Sequence, residues 1–92
     1  MSYEALPGGD LIDKGLRDLE GGRETEEALL VSIGAARLKA AGVPVPDESF
    51  DNPERRLYEL LARDDVDSAH SRYNALLRRL VSFEDAAECV GL

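Results

Sequence analysis

The sequence predicts an all-α fold, a compact four-helix bundle-like domain that ends in a long amphipathic helix. Three observations carry that expectation. No segment alternates apolar and polar residues over the length of a strand, whereas several repeat their apolar residues at helical spacing. The chain is punctuated at Gly21-Gly22, across residues 42–52 and at Asp64-Asp65, which leaves stretches of helix length between the breaks. Near the C-terminus Ala69, Tyr73, Leu76, Leu80, Phe83, Ala87 and Val90 succeed one another at steps of 4, 3, 4, 3, 4 and 3 residues. A chain of 92 residues rarely divides into two cores, so residues 1–9 are expected as a flexible arm and residues 10–92 as a single helical domain.

The first helix is expected over residues 11–20, capped by Asp10 after the flexible Pro7-Gly8-Gly9 and turning Ile12, Leu16 and Leu19 to one side. Thr25 is suited to cap a second helix over residues 26–41, with Glu26 and Glu27 beside its positive dipole end and Gly42 as its stop. This helix carries two apolar stripes, one of Ala28, Val31, Ala35 and Leu38 and one of Leu29, Ile33, Ala36 and Ala40, which marks it as the central element. The small residues Gly34, Ala35 and Ala36 would let a neighbouring backbone come close. Val43-Pro44-Val45-Pro46 cannot continue a helix, and Phe50 is placed to anchor the connection over the bundle. Asn52-Pro53 opens a third helix through Arg63 with Leu57, Leu60 and Leu61 inward. A last helix over residues 68–90 would be ~34 Å long, against ~24 Å for the second. Its excess length needs cover, either from the first and third helices laid end to end or from the same stripe of a second chain.

Charge excludes several classes of function. The chain sets 19 carboxylates against 11 Lys plus Arg, a net −8, and would be repelled by nucleic-acid phosphates and by anionic membrane surfaces. No apolar run reaches the ~20 residues of a membrane span. The N-terminus lacks a basic start followed by an apolar stretch, and Cys89 is the lone cysteine, so a cytoplasmic location is expected. Cys89 has no cationic neighbour to lower its pKa and reads as a small packing residue.

Candidate chemistry gathers in three places. The segment Arg63-Asp64-Asp65-Val66-Asp67-Ser68-Ala69-His70 joins an arginine to the only histidine near the start of a late helix. It resembles the active motif of the HEPN superfamily of ribonucleases, which implies Arg63 on the phosphate and His70 as acid or base at the 2′-hydroxyl. Alternatively, Arg63 and Asp67 simply suit the dipoles of the helices they end and begin. A second pattern, Glu24-x-x-Glu27 followed by Glu48-x-x-Asp51, resembles the metal-binding carboxylates of the MazG-like all-α nucleotide pyrophosphatases. That likeness implies four acids around magnesium, although Glu48 and Asp51 lie in a proline-bounded loop. Finally, Glu84 and Glu88 sit one turn apart beside Asp85, as a weak candidate metal pair or a solvated helix face. One histidine and one cysteine cannot supply a tetrahedral zinc set, and no cofactor is expected.

The leading expectation is therefore a small acidic helical module for protein interaction or regulation, self-associating as a homodimer through the last helix. Its expected interface is the stripe residues Tyr73, Leu76, Leu80, Phe83, Ala87 and Val90. Arg72, Arg78 and Arg79 fall mostly outside the stripe and are expected in surface ion pairs or across a subunit boundary.

Overall fold

Two helices of this protein are joined by a kink where one was expected, and the kink arranges the rest. The computed structural model describes residue 3, residues 5–47 and residues 49–91, and among these the regular structure is entirely helical. In chain order the elements are α1 (Gly9–Glu20), α2 (Glu26–Ile33), α3 (Ala35–Ala40), α4 (Pro53–Asp64) and α5 (Ala69–Val90). No helix of the described residues is long and apolar enough to cross a membrane.

Helix α1 begins earlier than expected. Gly8, in the left-handed region at φ 74°, occupies the cap position, and Asp10 lies inside the first turn with its carboxylate on Arg79, 3.1 Å away. Ile12, Gly15 and Leu19 face α2. The approach is close because Gly15 lacks a side chain: a methyl there would overlap the carbonyl oxygen of Glu27 and the side chain of Val31. Thr25 caps α2 as expected, its Oγ1 accepting from the Ala28 amide at 3.2 Å. Residues Ala28 to Ser32 are buried without interruption, so α2 is the centre of the molecule, in contact with α1, α4 and α5.

The expected helix over residues 26–41 is divided at Gly34. The cap amide of Gly34 is shared between the carbonyls of Leu30 and Ser32, and a new helix starts at Ala35. Here α5 crosses: a β-carbon on Gly34 would stand 2.7 Å from Glu84 Oε2 and 2.9 Å from Leu80 Cδ1. The small residue admits α5, as the sequence suggests, and the chain also redirects itself at that point.

Beyond α3 the chain doubles back through Val43 and Val45, both buried. Phe50 packs on the core and its amide donates to Ser32 Oγ at 3.3 Å, which ties this loop to the central helix. Pro53 stands at the first position of α4, but the preceding Asn52 adopts φ 49° and makes no side-chain cap bond. Leu57 and Leu61 point inward, and a short turn returns the chain into α5, which runs unbroken to Gly91.

The heptad stripe of α5 is covered from within the chain. Ala69, Leu80, Phe83 and Ala87 are buried, Tyr73 and Leu76 are partly buried, and Val90 is 59% exposed. Helix α4 covers the first half of the stripe. The second half meets the kink at Gly34 and two described residues of the N-terminal segment, Tyr3 and Gly8. Tyr3 is buried with its ring edge-on to Phe83 at 5.6 Å, its amide donates to Asp13 Oδ2 at 2.9 Å, and Gly8 lies against the backbone of Arg79. Of the two helices expected to lie end to end along the stripe, the third, here α4, covers its first half, and Tyr3 and Gly8 rather than the first helix lie against the second.

Candidate functional site

Leu80, Phe83 and Ala87, expected to face a second chain, have no surface to offer one, because burying them completes the protomer's own core. What α5 exposes is the neighbouring flank. His70, Asn74, Leu77 and Val81 lie on it at steps of 4, 3 and 4 residues, again at heptad spacing. Val81 is 45% exposed and Leu77 only partly covered.

At its N-terminal end this flank forms a groove with α4. Tyr58, 40% exposed, sets its ring edgewise to Tyr73 at 5.6 Å and to His70 at 6.4 Å. The groove has a volume of about 450 Å³ and is rimmed by Glu54, Arg55 and Glu59, with Asn74 as its far wall. Burial, and then the charge of Glu54, hold the Tyr73 hydroxyl above its ordinary pKa. His70 is oriented by Asn74, whose Nδ2 is 3.2 Å from His70 Nε2. Asn74 also borders a second shallow cavity of about 480 Å³, lined by Leu77, Arg78, Val81 and Ser82. The two form one strip along α5. Arg78 on this strip forms no ion pair with any described residue.

The sequence candidates for catalysis separate in space. Arg63 is exposed in the last turn of α4 and is not among the residues around the groove that holds His70. The intervening acids are engaged elsewhere: Asp64 accepts from Arg72 at 2.8 Å, and Asp65 Oδ1 accepts from the Asp67 amide at 3.1 Å.

Of the four carboxylates in the second pattern, Glu24 pairs with Arg56 at 3.7 Å and Glu27 with Lys14 at 3.3 Å, Asp51 is exposed, and Glu48 lies outside the described residues. Among the described residues no group of three or more His, Cys, Asp or Glu side chains is arranged to hold a metal ion.

The Glu84/Glu88 pair holds a guanidinium. Arg37 Nη1 donates to Glu84 at 3.2 Å, Nη2 to Asp85 at 2.6 Å and Nε to Glu88 at 2.8 Å. Glu84 is buried rather than solvated, and that burial raises its pKa, while the Arg37 hydrogen bond lowers that of Glu88. Cys89 is exposed rather than packed.

Sequence reasoning missed Asp18, which is buried in α1. It accepts from Lys14 at 2.6 Å, Thr25 Oγ1 at 2.7 Å and Arg23 at 3.2 Å, so it ties the α1–α2 turn together. The Lys14 hydrogen bond, then that of Thr25, lowers its pKa to about 2. Its i,i+4 relation to Lys14 was readable in the sequence; its burial was not. Sequence reasoning also missed Tyr58, which lies on the outer side of α4 as an ordinary surface position until α5 folds beside it.

No protein-family model, curated protein or solved structure matches the chain.

Proposed function

We propose that the protein is a small helical interaction module that self-associates through α5, using the flank of His70, Asn74, Leu77 and Val81 together with Tyr58 of α4 in place of the buried part of the stripe. The observation that carries this reading is the exposed apolar strip itself. Leu77 and Val81 of α5 continue the groove in which Tyr58 of α4 meets the partly buried Tyr73, where a surface that served only solubility would carry charge. Aromatic side chains with a polar tip are well suited to interfaces, since they contribute area while ordering few torsions.

Sedimentation equilibrium over a concentration series tests this reading. A species of about 20 kDa, twice the 10.0 kDa chain, is expected at the higher concentrations. Val81→Asp places a charge in the strip at an exposed position, so it should return the protein to a monomer while the helical circular dichroism stays unchanged. A wild-type chain that remains at 10 kDa up to millimolar concentration would reject self-association.

A further inference from the structure

We infer that the groove between α4 and α5 receives an arginine side chain carried by a segment of another protein, with its guanidinium stacked on the tyrosine rings and paired to Glu54. Every wall of the groove comes from one chain, so this inference stands apart from self-association. Tyr58, Tyr73 and His70 line the groove with their ring planes inclined, Tyr58 at 64° to Tyr73 and at 62° to His70. Tyr58 is 40% exposed, an aromatic surface left to solvent between two helices, and the faces of such rings attract cations.

The charges around the groove set the sign of its guest. Arg55 and Glu59 pair with each other at 3.5 Å across one turn of α4, which leaves Glu54 as the net charge of the lining. Glu54 forms no ion pair with any described residue, and its charge reaches the Tyr73 hydroxyl, whose pKa it helps to raise. A carboxylate without a counter-ion thus stands beside two aromatic rings. Arginine fits both parts, because its planar guanidinium lies on a ring while the N–H groups at its edge donate to a carboxylate. An ammonium gives up its water less readily in so open a groove, and a quaternary ammonium has no N–H for Glu54.

Two observations place that arginine on another protein. The net charge of −8 attracts basic partners, whereas Arg23, Arg37, Arg55, Arg56, Arg72 and Arg79 are already held by carboxylates of their own chain. The groove also runs on past Asn74 to the apolar surface of Leu77 and Val81, where residues flanking the arginine can rest. A free amino acid leaves that surface bare. A bound segment and a second copy of the chain exclude one another there.

The probe is the blocked peptide acetyl-Ala-Leu-Arg-Leu-Ala-amide, titrated into dilute, monomeric, isotope-labelled protein and followed by amide chemical shifts. Saturable shifts are expected to cluster on residues 54–59 and 70–81. Citrulline in place of the arginine keeps the shape and removes the charge, and should weaken binding about 10-fold or more; lysine should weaken it about 3-fold or more. Glu54→Gln and Tyr58→Leu should each cost about 5-fold or more, while Tyr58→Phe, which keeps the ring, should stay within about 2-fold of the wild type. Glu20→Gln makes the same change in net charge at an exposed position outside the groove and should leave binding unchanged. All three positions are exposed, and circular dichroism of each variant checks that the fold is kept.

A citrulline peptide that binds as well as the arginine peptide, a Glu20→Gln loss equal to that of Glu54→Gln, or no saturable binding up to about 10 mM peptide would overturn the proposal. N-acetyl-arginine amide binding as tightly as the peptide would overturn a protein segment as the source of the arginine. Neither result bears on the sedimentation test, so the two readings fail separately.

Discussion

Arg37 Nη1 donates to Oε1 of the buried Glu84 at 3.2 Å, and through this contact the short helix after the kink is fastened to the last helix of the protein. Asp85 and Glu88 complete the set around the same guanidinium, so one cation serves three acids. Removing Arg37 leaves three carboxylates facing one another, one of them in the core. Arg37→Ala should therefore lower the urea midpoint markedly. Glu84→Gln keeps a neutral hydrogen-bond acceptor in place and removes a buried charge, so it should change stability by no more than ~1 kcal/mol near neutral pH. Equal losses in the two variants would show that the network does not work as one guanidinium shared by three acids.

Because burial raises the pKa of Glu84, folding disfavours its ionised form relative to the unfolded chain. The contribution of this group is thus greatest below the ordinary carboxylate pKa and declines as pH rises past it. Glu84→Gln should gain on the wild type as pH is raised from about 4 to about 7, measured by urea unfolding at each pH. A gain that runs the other way would mean that Arg37 outweighs burial at this site.

Asp18 has the opposite sign. Its pKa is lowered to about 2 in the folded protein, so its contribution is present above the unfolded value near 3.8 and lost as pH falls from about 4 through about 2. The gap in urea midpoint between wild type and Asp18→Asn should accordingly be wide at pH 6 and close as the pH falls to about 2. A gap that persists unchanged at the acid end would locate the effect in packing.

Gly15 and Gly34 should respond differently to a methyl group. At Gly15 the added carbon meets a backbone carbonyl of α2, which cannot move without shifting the helix, and Gly15→Ala should cost about 1–3 kcal/mol. At Gly34 the nearest atoms are the ends of the Glu84 and Leu80 side chains, which can turn aside, so alanine there should cost less than ~1 kcal/mol. Thermal unfolding of the two variants should rank Gly15→Ala clearly lower.

Tyr3 gives a test of the N-terminal segment. If its ring completes the cover over Phe83, Tyr3→Ala should destabilise the protein by roughly 2–4 kcal/mol, far more than any change in a free arm would. A variant with wild-type urea unfolding would show that Phe83 is covered well enough by the helices alone.

Local chemistry made much of this fold legible. Thr25 caps α2 because its hydroxyl can reach an amide three residues on, and Pro53 opens α4 because its ring already holds the helical φ; both effects act within one turn and need no knowledge of the rest. The unbroken α5 follows in the same way from the phase of its stripe. The kink at Gly34 was only half legible. A glycine in a helix signals close approach, but whether the helix bends there depends on where Leu80 and Glu84 of a helix some fifty residues on come to rest.

The candidate site shows the same division more sharply. Residue type and spacing suggested two catalytic patterns, but whether Arg63 meets His70, or whether the four acids meet at all, is a matter of which side of each helix faces which neighbour. Arginines decided much of it: Arg37, Arg56 and Arg72 each bind carboxylates that the sequence left open for other uses. By itself the sequence determined that this chain is helical, where most of its helices start and stop, and that one face of the last helix must be buried. These follow from backbone propensity, capping and hydrophobic periodicity, which act over a few residues. Only the tertiary structure decided that the buried face is covered by the chain's own α4 and by Tyr3, so that His70, Asn74, Leu77 and Val81 form the open edge. That outcome depends on contacts between residues far apart in the chain, whose free energy is settled only when the elements pack.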